Sequence, residues 1–373
     1  MTTTPIVQFG TSRFLQAHVD LFVSEALNEG RALGSVAVVQ SSGDPSRSKR
    51  AQALAAPEGY EVQIKGIDQG KLVNTSKRVT SITRGYSLPE NLSEVTDLIA
   101  SDAEIILSNT ADAGFRPQMA DRSPDFRAEM SYPAKLTWFL NQRFKAGGGR
   151  LQIMPTELVP QNGDFLRDLV RSIAEIYGDT FLSWLDTNVL WVSSLVDRIV
   201  SEPLEPAGAV AEPYALWAIE DRPGLILPCE HAAVHVVGDL EQVETLKLFI
   251  LNLGHTYLVS RWMSGSDPFS QYVREFLEHP DNLSDLQSLY ASEVVPAFAA
   301  HGRKAEAEAY VATTIDRFRN PFLDHKLSDI AQNHAEKIQR RIAAFLKWAW
   351  VADPALQMPR LESVSNFRSE ASA

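Results

Sequence analysis

The stretch Ile6-Val-Gln-Phe-Gly10-Thr-Ser-Arg13 decides the fold of this 373-residue chain. Its first four residues predict a short strand, Gly10 leaves that strand in a tight turn, and the amphipathic segment Phe14–Leu27 predicts a helix. A helix that begins at such a turn points free backbone N–H groups at a phosphate. The turn therefore resembles a nucleotide-binding turn, although Ser12 and Leu15 occupy the second and third glycine positions of the Gly-x-Gly-x-x-Gly pattern. On this motif alone, an ordinary strand-to-helix turn is the alternative.

Strand and helix patterns alternate through the rest of the N-terminal part. Further strands are predicted at Ser35–Gln40, Tyr60–Lys65, Glu104–Ser108, Leu151–Met154 and Asn188–Val192, and further helices at Arg47–Ala56 and Ala134–Lys145. This alternation is typical of the α/β class, with a mainly parallel, doubly wound, Rossmann-like sheet.

From about Leu240 the pattern becomes helical. Helices are predicted at Glu241–Met263, Gln271–His279, Leu283–His301, Lys304–Phe318 and His325–Val351. The sequence therefore predicts two domains, a dinucleotide-binding Rossmann-like domain at 1–239 and an all-helical substrate and catalytic domain at 240–373.

Composition and charge exclude several classes of protein. With 45% hydrophobic and 22% charged residues, the chain has the composition of a globular protein, and its apolar runs are too short to cross a bilayer. The net charge of −12 argues against a nucleic-acid partner, because phosphate binding needs a basic face. The single cysteine, Cys229, cannot form an internal disulfide, which suggests the cytoplasm. CxxC and HExxH motifs and a basic signal segment are missing, so we expect neither a bound metal nor secretion.

Three polar residues interrupt the apolar run Lys247-Leu-Phe-Ile-Leu-Asn252-Leu-Gly-His255. At about 100° per residue, an α-helix holds Lys247, Asn252 and His255 within one sector of roughly 140°. Polar side chains in such a run need a partner or a task. A desolvated amine can act as a base near neutral pH, and an amide can donate to a developing alkoxide. These three residues are therefore predicted to line one catalytic cleft.

Seven segments, in the same order along almost the whole chain, resemble one known family. They are Gln8–His18, Ser108–Gly114, Tyr132–Thr137, Met154–Gly163, Ser194–Val200, Glu244–His255 and Arg317–His325. The chain resembles the polyol-specific long-chain dehydrogenases, the mannitol dehydrogenase family. Within that family it is most similar to the hexuronate reductases of the tagaturonate reductase (altronate oxidoreductase) type. Each motif is modest, but the ordered set is specific.

The resemblance implies metal-independent hydride transfer between a nicotinamide coenzyme and a sugar carbonyl or secondary alcohol. It implies that Lys247 is the acid/base, that Asn252 steadies the reacting oxygen, and that His255 orients the substrate. It further implies substrate contacts for Asp197 and Lys337 and a proton relay to solvent through Glu244. The coenzyme is implied to lie along Gly10, Thr11, Ser12, Arg13, Phe14, Asn109 and Thr110. For Asp197 the alternative is a structural ion pair with Arg198, and for Glu244 a solvated helix position.

Two departures from the polyol enzymes bear on the substrate. Thr156-Glu-Leu158 stands where mannitol 2-dehydrogenases have Cys-Asp-Asn, and Leu158 cannot donate a hydrogen bond from its side chain. Asp329 stands where they have a substrate-contacting arginine, and His325 is expected to take its place, as in the uronate reductases. A uronate brings a carboxylate, which Lys337, Arg317 or His325 could meet. For Arg317 an ordinary surface charge is the alternative.

The choice between NAD and NADP stays open on the residues alone. An acidic residue at the end of the second strand would hold the ribose hydroxyls. This chain has Gln40-Ser41-Ser-Gly-Asp44 there, followed by Arg47. Asp44 suits the ribose, and Ser41 with Arg47 equally suits a 2′-phosphate. We expect NAD, with NADP not excluded.

We therefore expect an NAD(P)-dependent oxidoreductase that interconverts a keto-sugar acid, of the tagaturonate or fructuronate type, and its aldonate. The sugar is expected to lie between the two domains. A polyol dehydrogenase acting on mannitol or arabinitol is the alternative within the enzymes. A non-catalytic dinucleotide sensor is favoured by Leu158 and the incomplete glycine pattern but opposed by the intact Lys247 set, and a sugar-binding protein is a third alternative. The expected partner is a small sugar acid or polyol, and the chain a monomer or weak oligomer.

Overall fold

The computed structural model of the chain describes residues 4–42, 45–88, 90–265 and 269–371. The fold divides into two compact units. The sheet unit comprises Met1–Ile64, Thr75–Ala211 and Ala215–Leu240, and the helical unit comprises Lys65–Asn74, Glu212–Tyr214 and Glu241–Ala373. The two short excursions into the helical unit were not foreseen from the sequence. The predicted boundary at 239/240 separates two domains that are expected to fold independently, and it stays a prediction.

The strands are short and lie mainly before the helical unit. They are β1 Ile6–Phe9, β2 Val36–Gln40, β3 Tyr60–Asp68, β4 Lys71–Val79, β5 Ile82–Ser87, β6 Ile105–Ser108, β7 Leu151–Pro155, β8 Val189–Trp191, β9 Ser194–Asp197, β10 Val200–Pro203, β11 Gly208–Ala211, β12 Leu216–Glu220 and β13 Val234–Val237.

Six of these strands form one parallel sheet in the order β5-β2-β1-β6-β7-β8. This is the doubly wound order in which the chain starts at the centre and then reverses direction across the sheet. The predicted α/β class with a Rossmann-like parallel sheet is therefore confirmed. Two smaller sheets have the orders β10-β11-β3-β4 and β13-β12-β9.

The central strands are buried along their whole length. Ile6 of β1 lies opposite Val36 of β2 and Ile105 of β6, and all three side chains are fully buried. Helices cover both faces of such a sheet, so its strands read as continuous apolar runs and not as alternating ones.

The helices of the sheet unit are α1 Arg13–Gln16, α2 Val19–Asn28, α3 Pro45–Leu54, α4 Leu92–Ser101, α5 Tyr132–Lys145, α6 Asn162–Ala174 and α7 Asp179–Asn188, with 3-10 turns at Asp112–Phe115, Met119–Arg122 and Glu175–Tyr177. Later in the chain follow α8 Leu240–Leu246, α9 Leu253–Met263, α10 Val273–Glu278, α11 Pro280–Leu289, α12 Val295–Ala300, α13 Lys304–Phe318, α14 Leu327–Ala331, α15 His334–Lys337, α16 Ala344–Ala352 and α17 Pro359–Ala371. Single π-helical turns lie at Lys247–Asn252, Tyr290–Val294 and Ile338–Ala343.

The single helix predicted at Phe14–Leu27 is wrong, because the chain breaks between α1 and α2. Arg198 donates from Nη1 to the carbonyl of Ala17 at 2.7 Å, and Nε2 of His18 lies 2.9 Å from the carbonyl of Leu216. These contacts from other elements hold the backbone at the break. The sequence pattern also missed β4, β5 and β9 to β13.

The long helices predicted after Leu240 are wrong in one respect, since π turns and short breaks interrupt them. The helix predicted at Lys304–Phe318 is a single uninterrupted element, α13, and the helix predicted at Gln271–His279 is the somewhat shorter α10. The core of this unit includes Phe249, Tyr290, Phe298 and Phe345, all buried. Within the ranges given above, no helix is both long and apolar enough to span a membrane.

Candidate active site

A cavity of about 700 Å³ lies in the sheet unit where β1, β2 and β6 end. Gly10 donates its N–H to the carbonyl of Val39 at 3.1 Å, and Asn109 donates its N–H to the carbonyl of Phe9 at 3.1 Å. The strand order reverses between β1 and β6, and ligands of open α/β sheets bind in the crevice at such a reversal.

Gly10 and Ser12 shape the turn at this crevice. Gly10 has φ +127°, and a Cβ atom there would lie 2.7 Å from the carbonyl oxygen of Asn109, so only glycine fits. Ser12 accepts from the N–H of Leu15 at 3.2 Å as the N-cap of α1, and donates to Oδ1 of Asn109 at 2.9 Å. A serine in place of the second glycine therefore caps the helix and ties β1 to β6.

The structure brings most of the predicted coenzyme residues to this cavity. Those that line it are Gly10, Thr11, Ser12, Ser41, Asn109 and Thr110. Arg13 and Phe14 are not among its lining residues, because Arg13 donates to the carbonyl of Ser201 at 3.2 Å and Phe14 stacks on His18 at 4.7 Å. Asp44 and the side chain of Arg47 lie outside the described residues.

Lys135, which the sequence analysis did not select, also lines this cavity. It is 5% exposed, and its Nζ donates to the carbonyl of Ser41 at 2.8 Å. Burial lowers the pKa of Lys135 below its ordinary value. A signal existed in the sequence, since Lys135 lies one turn into the helix opened by Pro133, within a segment that resembles the family.

Asp197 and Leu158 also belong to the sheet unit. Asp197 ends β9 and is buried beside Arg198, whose Nη1 donates to the carbonyl of Ala17. Leu158, at the position of the missing amide, is 82% exposed. Cys229 is buried, and burial raises the pKa of its thiol to about 12, so it is a poor nucleophile.

The segment that carries Lys247 and Asn252 is a π turn and not an α-helix. The angles expected at about 100° per residue therefore do not apply to it. A π turn closes with i→i+5 hydrogen bonds, so residues five apart are about one turn apart and lie on the same side of the helix. Lys247 and Asn252 are the first and last residues of this turn, and both are half-buried. Glu244 is half-buried in α8, one turn before Lys247. Such turns occur often at functional sites.

Two side chains from other helices hold this π turn. Tyr290 donates its hydroxyl to the carbonyl of Ile250 at 2.9 Å. Nη1 of Arg341 lies 3.2 Å from Oγ1 of Thr256 and 3.4 Å from the carbonyl of Asn252. Because these donors come from separate elements, the π turn depends on tertiary packing.

A cavity of about 210 Å³ in the helical unit joins the predicted residues Asn252 and Lys337. Its complete lining is Leu248, Asn252, Asn333, Glu336, Lys337, Arg340 and Arg341. Lys337 donates from Nζ to the carbonyl of Ile330 at 2.7 Å, and burial together with the charge of Arg341 lowers the pKa of Lys337. Arg340 and Arg341 were not selected from the sequence, although they follow Lys337 by three and four residues and so share its helix face.

His255 and His325 lie together, with ring centroids 4.7 Å apart, and Phe318 packs 4.3 Å from the ring of His255. Burial lowers the pKa of His255 well below its ordinary value, and the charge of Arg341 acts in the same direction. His255 is therefore neutral near pH 7. In the described part of the chain, its buried Nε2 has no hydrogen-bond partner.

Arg317 has a different environment from the one expected for a substrate contact. It forms a buried, bidentate pair with Glu212, at 2.8 and 3.0 Å, and its guanidinium lies 4.4 Å from the ring centre of Tyr214. A guanidinium engaged in this way is not open to a carboxylate. We therefore correct the prediction and assign Arg317 to the ion pair that packs 212–214 against α13. Over the described ranges, no three potential metal-ligating side chains converge.

Comparison with known proteins shows similarity over almost the whole chain. The mannitol dehydrogenase Rossmann domain matches residues 4–226, and the mannitol dehydrogenase C-terminal domain matches residues 239–361. An altronate oxidoreductase of Halalkalibacterium halodurans is 31% identical over 363 residues, covering 90% of this chain and 69% of the relative. An altronate oxidoreductase of Bacillus subtilis is 31% identical over 368 residues, covering 92% of this chain and 74% of the relative.

Two solved structures share the fold. A D-sorbitol dehydrogenase in substrate-free form has a TM-score of 0.80 at 20% identity, over 93% of this chain and 76% of that one. The mannitol 2-dehydrogenase of Pseudomonas fluorescens, solved with NAD and D-mannitol, has a TM-score of 0.70 at 18% identity, over 100% of this chain and 85% of that one. With both domains matched in order, the chain belongs to the mannitol dehydrogenase family.

Proposed function

We propose that the chain is an NAD-dependent oxidoreductase that interconverts a keto-sugar acid and its aldonate by hydride transfer. The observation that carries this proposal is the basic cavity of the helical unit, where Lys337 and Arg341 lie beside Asn252. Two cations suit the carboxylate of a sugar acid, which binds them by charge-assisted hydrogen bonds, better than they suit an uncharged sugar. Relatives at 31% identity carry altronate, a sugar acid, in their names.

The cavity of the sheet unit fits a nicotinamide dinucleotide. Its volume of about 700 Å³ is of the size that holds small ligands. Gly10 lets the backbone approach a pyrophosphate closely, and Ser41 presents its hydroxyl where a Rossmann unit binds the ribose. When bound, NAD supplies or accepts the hydride.

Residues that lie mainly in the helical unit transfer the proton and stabilise the negative charge that develops on the substrate oxygen. In reduction, hydride reaches the keto carbon and the ammonium of Lys247 gives its proton to the oxygen, and in oxidation the amine takes that proton back. The amide of Asn252 donates to the oxygen as negative charge develops there. Neutral His255 accepts or donates a hydrogen bond to a sugar hydroxyl, and Glu244 passes the proton of Lys247 to solvent. Asp197 and His325 hold further hydroxyl groups.

A panel of substrates tests the proposal. Oxidation of NADH and NADPH is followed by absorbance with tagaturonate, fructuronate and fructose. We expect turnover with a keto-uronate and NADH, and little with fructose. Preferred turnover of fructose would reassign the chain to the polyol dehydrogenases. NADH binding without turnover of any of these substrates would favour the sensor.

A further inference from the structure

A buried carboxylate with no part in the proposed chemistry lies just beyond the end of β7. Glu157 is 7% exposed. Its Oε1 accepts from the N–H of Thr110 at 2.9 Å and from Oγ1 of Thr110 at 3.3 Å, and its Oε2 accepts from the hydroxyl of Ser108 at 3.1 Å. We call Ser108, Thr110 and Glu157 the strand-end clamp.

The clamp belongs to a longer set of contacts that ends at the coenzyme turn. Next to Glu157, the carbonyl and the hydroxyl of Thr156 lie 3.2 and 3.1 Å from Nδ2 of Asn109. Asn109 in turn accepts from the hydroxyl of Ser12. Side chains thus connect the ends of β7, β6 and β1, and three members of the set, Ser12, Asn109 and Thr110, line the cavity of about 700 Å³.

Glu157 is costly to keep ionised in this place. Burial raises the pKa of Glu157 above its ordinary value, and the hydrogen bonds from Thr110 and Ser108 act against that rise. The pKa of the buried Tyr132 hydroxyl is raised by burial and by the charge of Glu157, so Tyr132 faces the same carboxylate. Buried carboxylates with a perturbed pKa cluster at functional sites, and the hydrogen bonds of Glu157 place it next to residues that line the cavity.

We propose that Glu157 is a positioning residue for the coenzyme, which it serves by accepting from Thr110 and Ser108 and so fixing the loop after β6 in its binding conformation. Glu157 does not touch the coenzyme in this scheme. It acts through Thr110, whose backbone N–H would otherwise have several orientations open to it. The inference rests on the coenzyme part of the proposed function.

The test measures NADH binding by fluorescence titration and the kinetic constants of the full chain. In Glu157→Met both acceptors are lost, and we expect the Kd and KM for NADH to rise about tenfold or more, with kcat at saturating NADH nearly unchanged. In Glu157→Gln the amide oxygen still accepts from Thr110 and its NH2 can donate to Ser108. This variant should therefore stay within about threefold of the wild type.

Glu104→Met is the matched control, because Glu104 is an exposed glutamate that precedes β6 at the other end of the same sheet. Folded Glu157→Met that binds NADH like the wild type would overturn the proposal, whatever its thermal stability. If Glu157→Met does not fold, Glu157→Ala decides, because it also removes both acceptors, and unchanged NADH affinity in that variant would also overturn the proposal. Wild-type chain that binds neither NADH nor NADPH would instead remove the proposed function, and the role of Glu157 with it.

Discussion

Lys337 is the residue on which the proposed substrate class depends most. It shares the cavity of the helical unit with Asn252 and lies within the field of Arg341, which contributes to the lowered pKa of Lys337. Partial burial and the nearby charge of Arg341 both disfavour the charged form of Lys337. A bound anion offsets both effects, so this lysine is well suited to bind one.

We expect Lys337→Met to raise the KM for tagaturonate by about 10- to 100-fold, because a hydrogen bond to a charged group contributes about 1.5–3 kcal/mol. The inhibition constant of fructose against the same reaction should change by less than about threefold, since fructose has no carboxylate. Steady-state kinetics with both compounds gives the comparison. Lys347→Met, an exposed lysine on α16, is the control. Equal losses for tagaturonate and fructose would remove Lys337 from carboxylate recognition.

Asp20 is a second residue that leads to a testable prediction, because its burial makes the stability of the chain depend on pH. It is fully buried, with Oδ2 accepting from Tyr60 at 3.1 Å and from Gln8 at 3.4 Å. Burial raises the pKa of Asp20 to about 7, against the hydrogen bonds that lower it. The folded chain therefore holds this proton more tightly than the unfolded chain. The contribution of Asp20 to stability is full below the unfolded pKa of about 4 and is lost as the pH rises to about 7.

Asp20→Asn cannot ionise and should escape this loss. Relative to the wild type, its free energy of unfolding should increase by about 2–3 kcal/mol between pH 5 and pH 8. Urea unfolding of both proteins at the two pH values measures the difference. A difference that stays constant with pH would show that Asp20 does not titrate in this range.

Most of the predicted site residues that line a cavity in the structure belong to a local motif. Gly10, Asn109 and Thr110 directly follow predicted strands, and Asn252 lies in a recognisable run, so position along the chain was informative. Arg341 and Lys135 escaped selection because their roles depend on which cavity they reach, which is a property of the tertiary fold. Arg317 was misjudged for the same reason, since its partner Glu212 is 105 residues away in sequence.

At the scale of elements, the π turn at Lys247–Asn252 is the feature on which the proposed site depends most. Gly254 follows it in α9, and a Cβ atom there would lie 2.0 Å from the hydroxyl oxygen of Tyr290 and 3.1 Å from the ring of Phe318. The missing side chain therefore lets the Tyr290 hydroxyl reach the carbonyl of Ile250 inside the turn.

We expect Gly254→Ala to destabilise the helical unit by about 1–3 kcal/mol, as overpacking commonly does, and to lower kcat because the turn carries Asn252. Tyr290→Phe removes the closest atom, so the double variant should lose less stability than the sum of the single ones. Unfolding and kinetics of the four proteins form the cycle. Gly238→Ala, where an added Cβ would meet nothing within 4 Å, is the control. Strict additivity would contradict the proposed contact.

Five of the six parallel strands, all but β5, and the long α13 could be predicted because hydrophobic periodicity determines such elements locally. The π turns could not, because their residues have the same helical pattern as an α-helix and the extra residue is accommodated by contacts from Tyr290 and Arg341. The break before α2 is similar, since the sequence of α1 and α2 is continuous in its pattern and Arg198, which contacts the break, lies far along the chain between β9 and β10.

At the scale of the whole molecule, the net charge of −12 gives no indication of the local charge at the site. The sequence excluded a nucleic-acid partner on that basis, but the structure gathers Lys337, Arg340 and Arg341 around one cavity. For the proposed anionic substrate, we therefore expect electrostatic steering to depend on this local field and not on the total charge. The cytoplasmic location and the oligomeric state remain predictions.

The most direct test of the proposed function compares the wild type with Lys247→Met in the reduction of tagaturonate by NADH, with NADH binding to each protein measured separately. We predict a fall in kcat by a factor of about 10²–10⁴, the range typical of a lost general acid, while the Kd for NADH changes little. A Lys247→Met protein with nearly normal kcat would contradict the assignment of Lys247 as the acid/base.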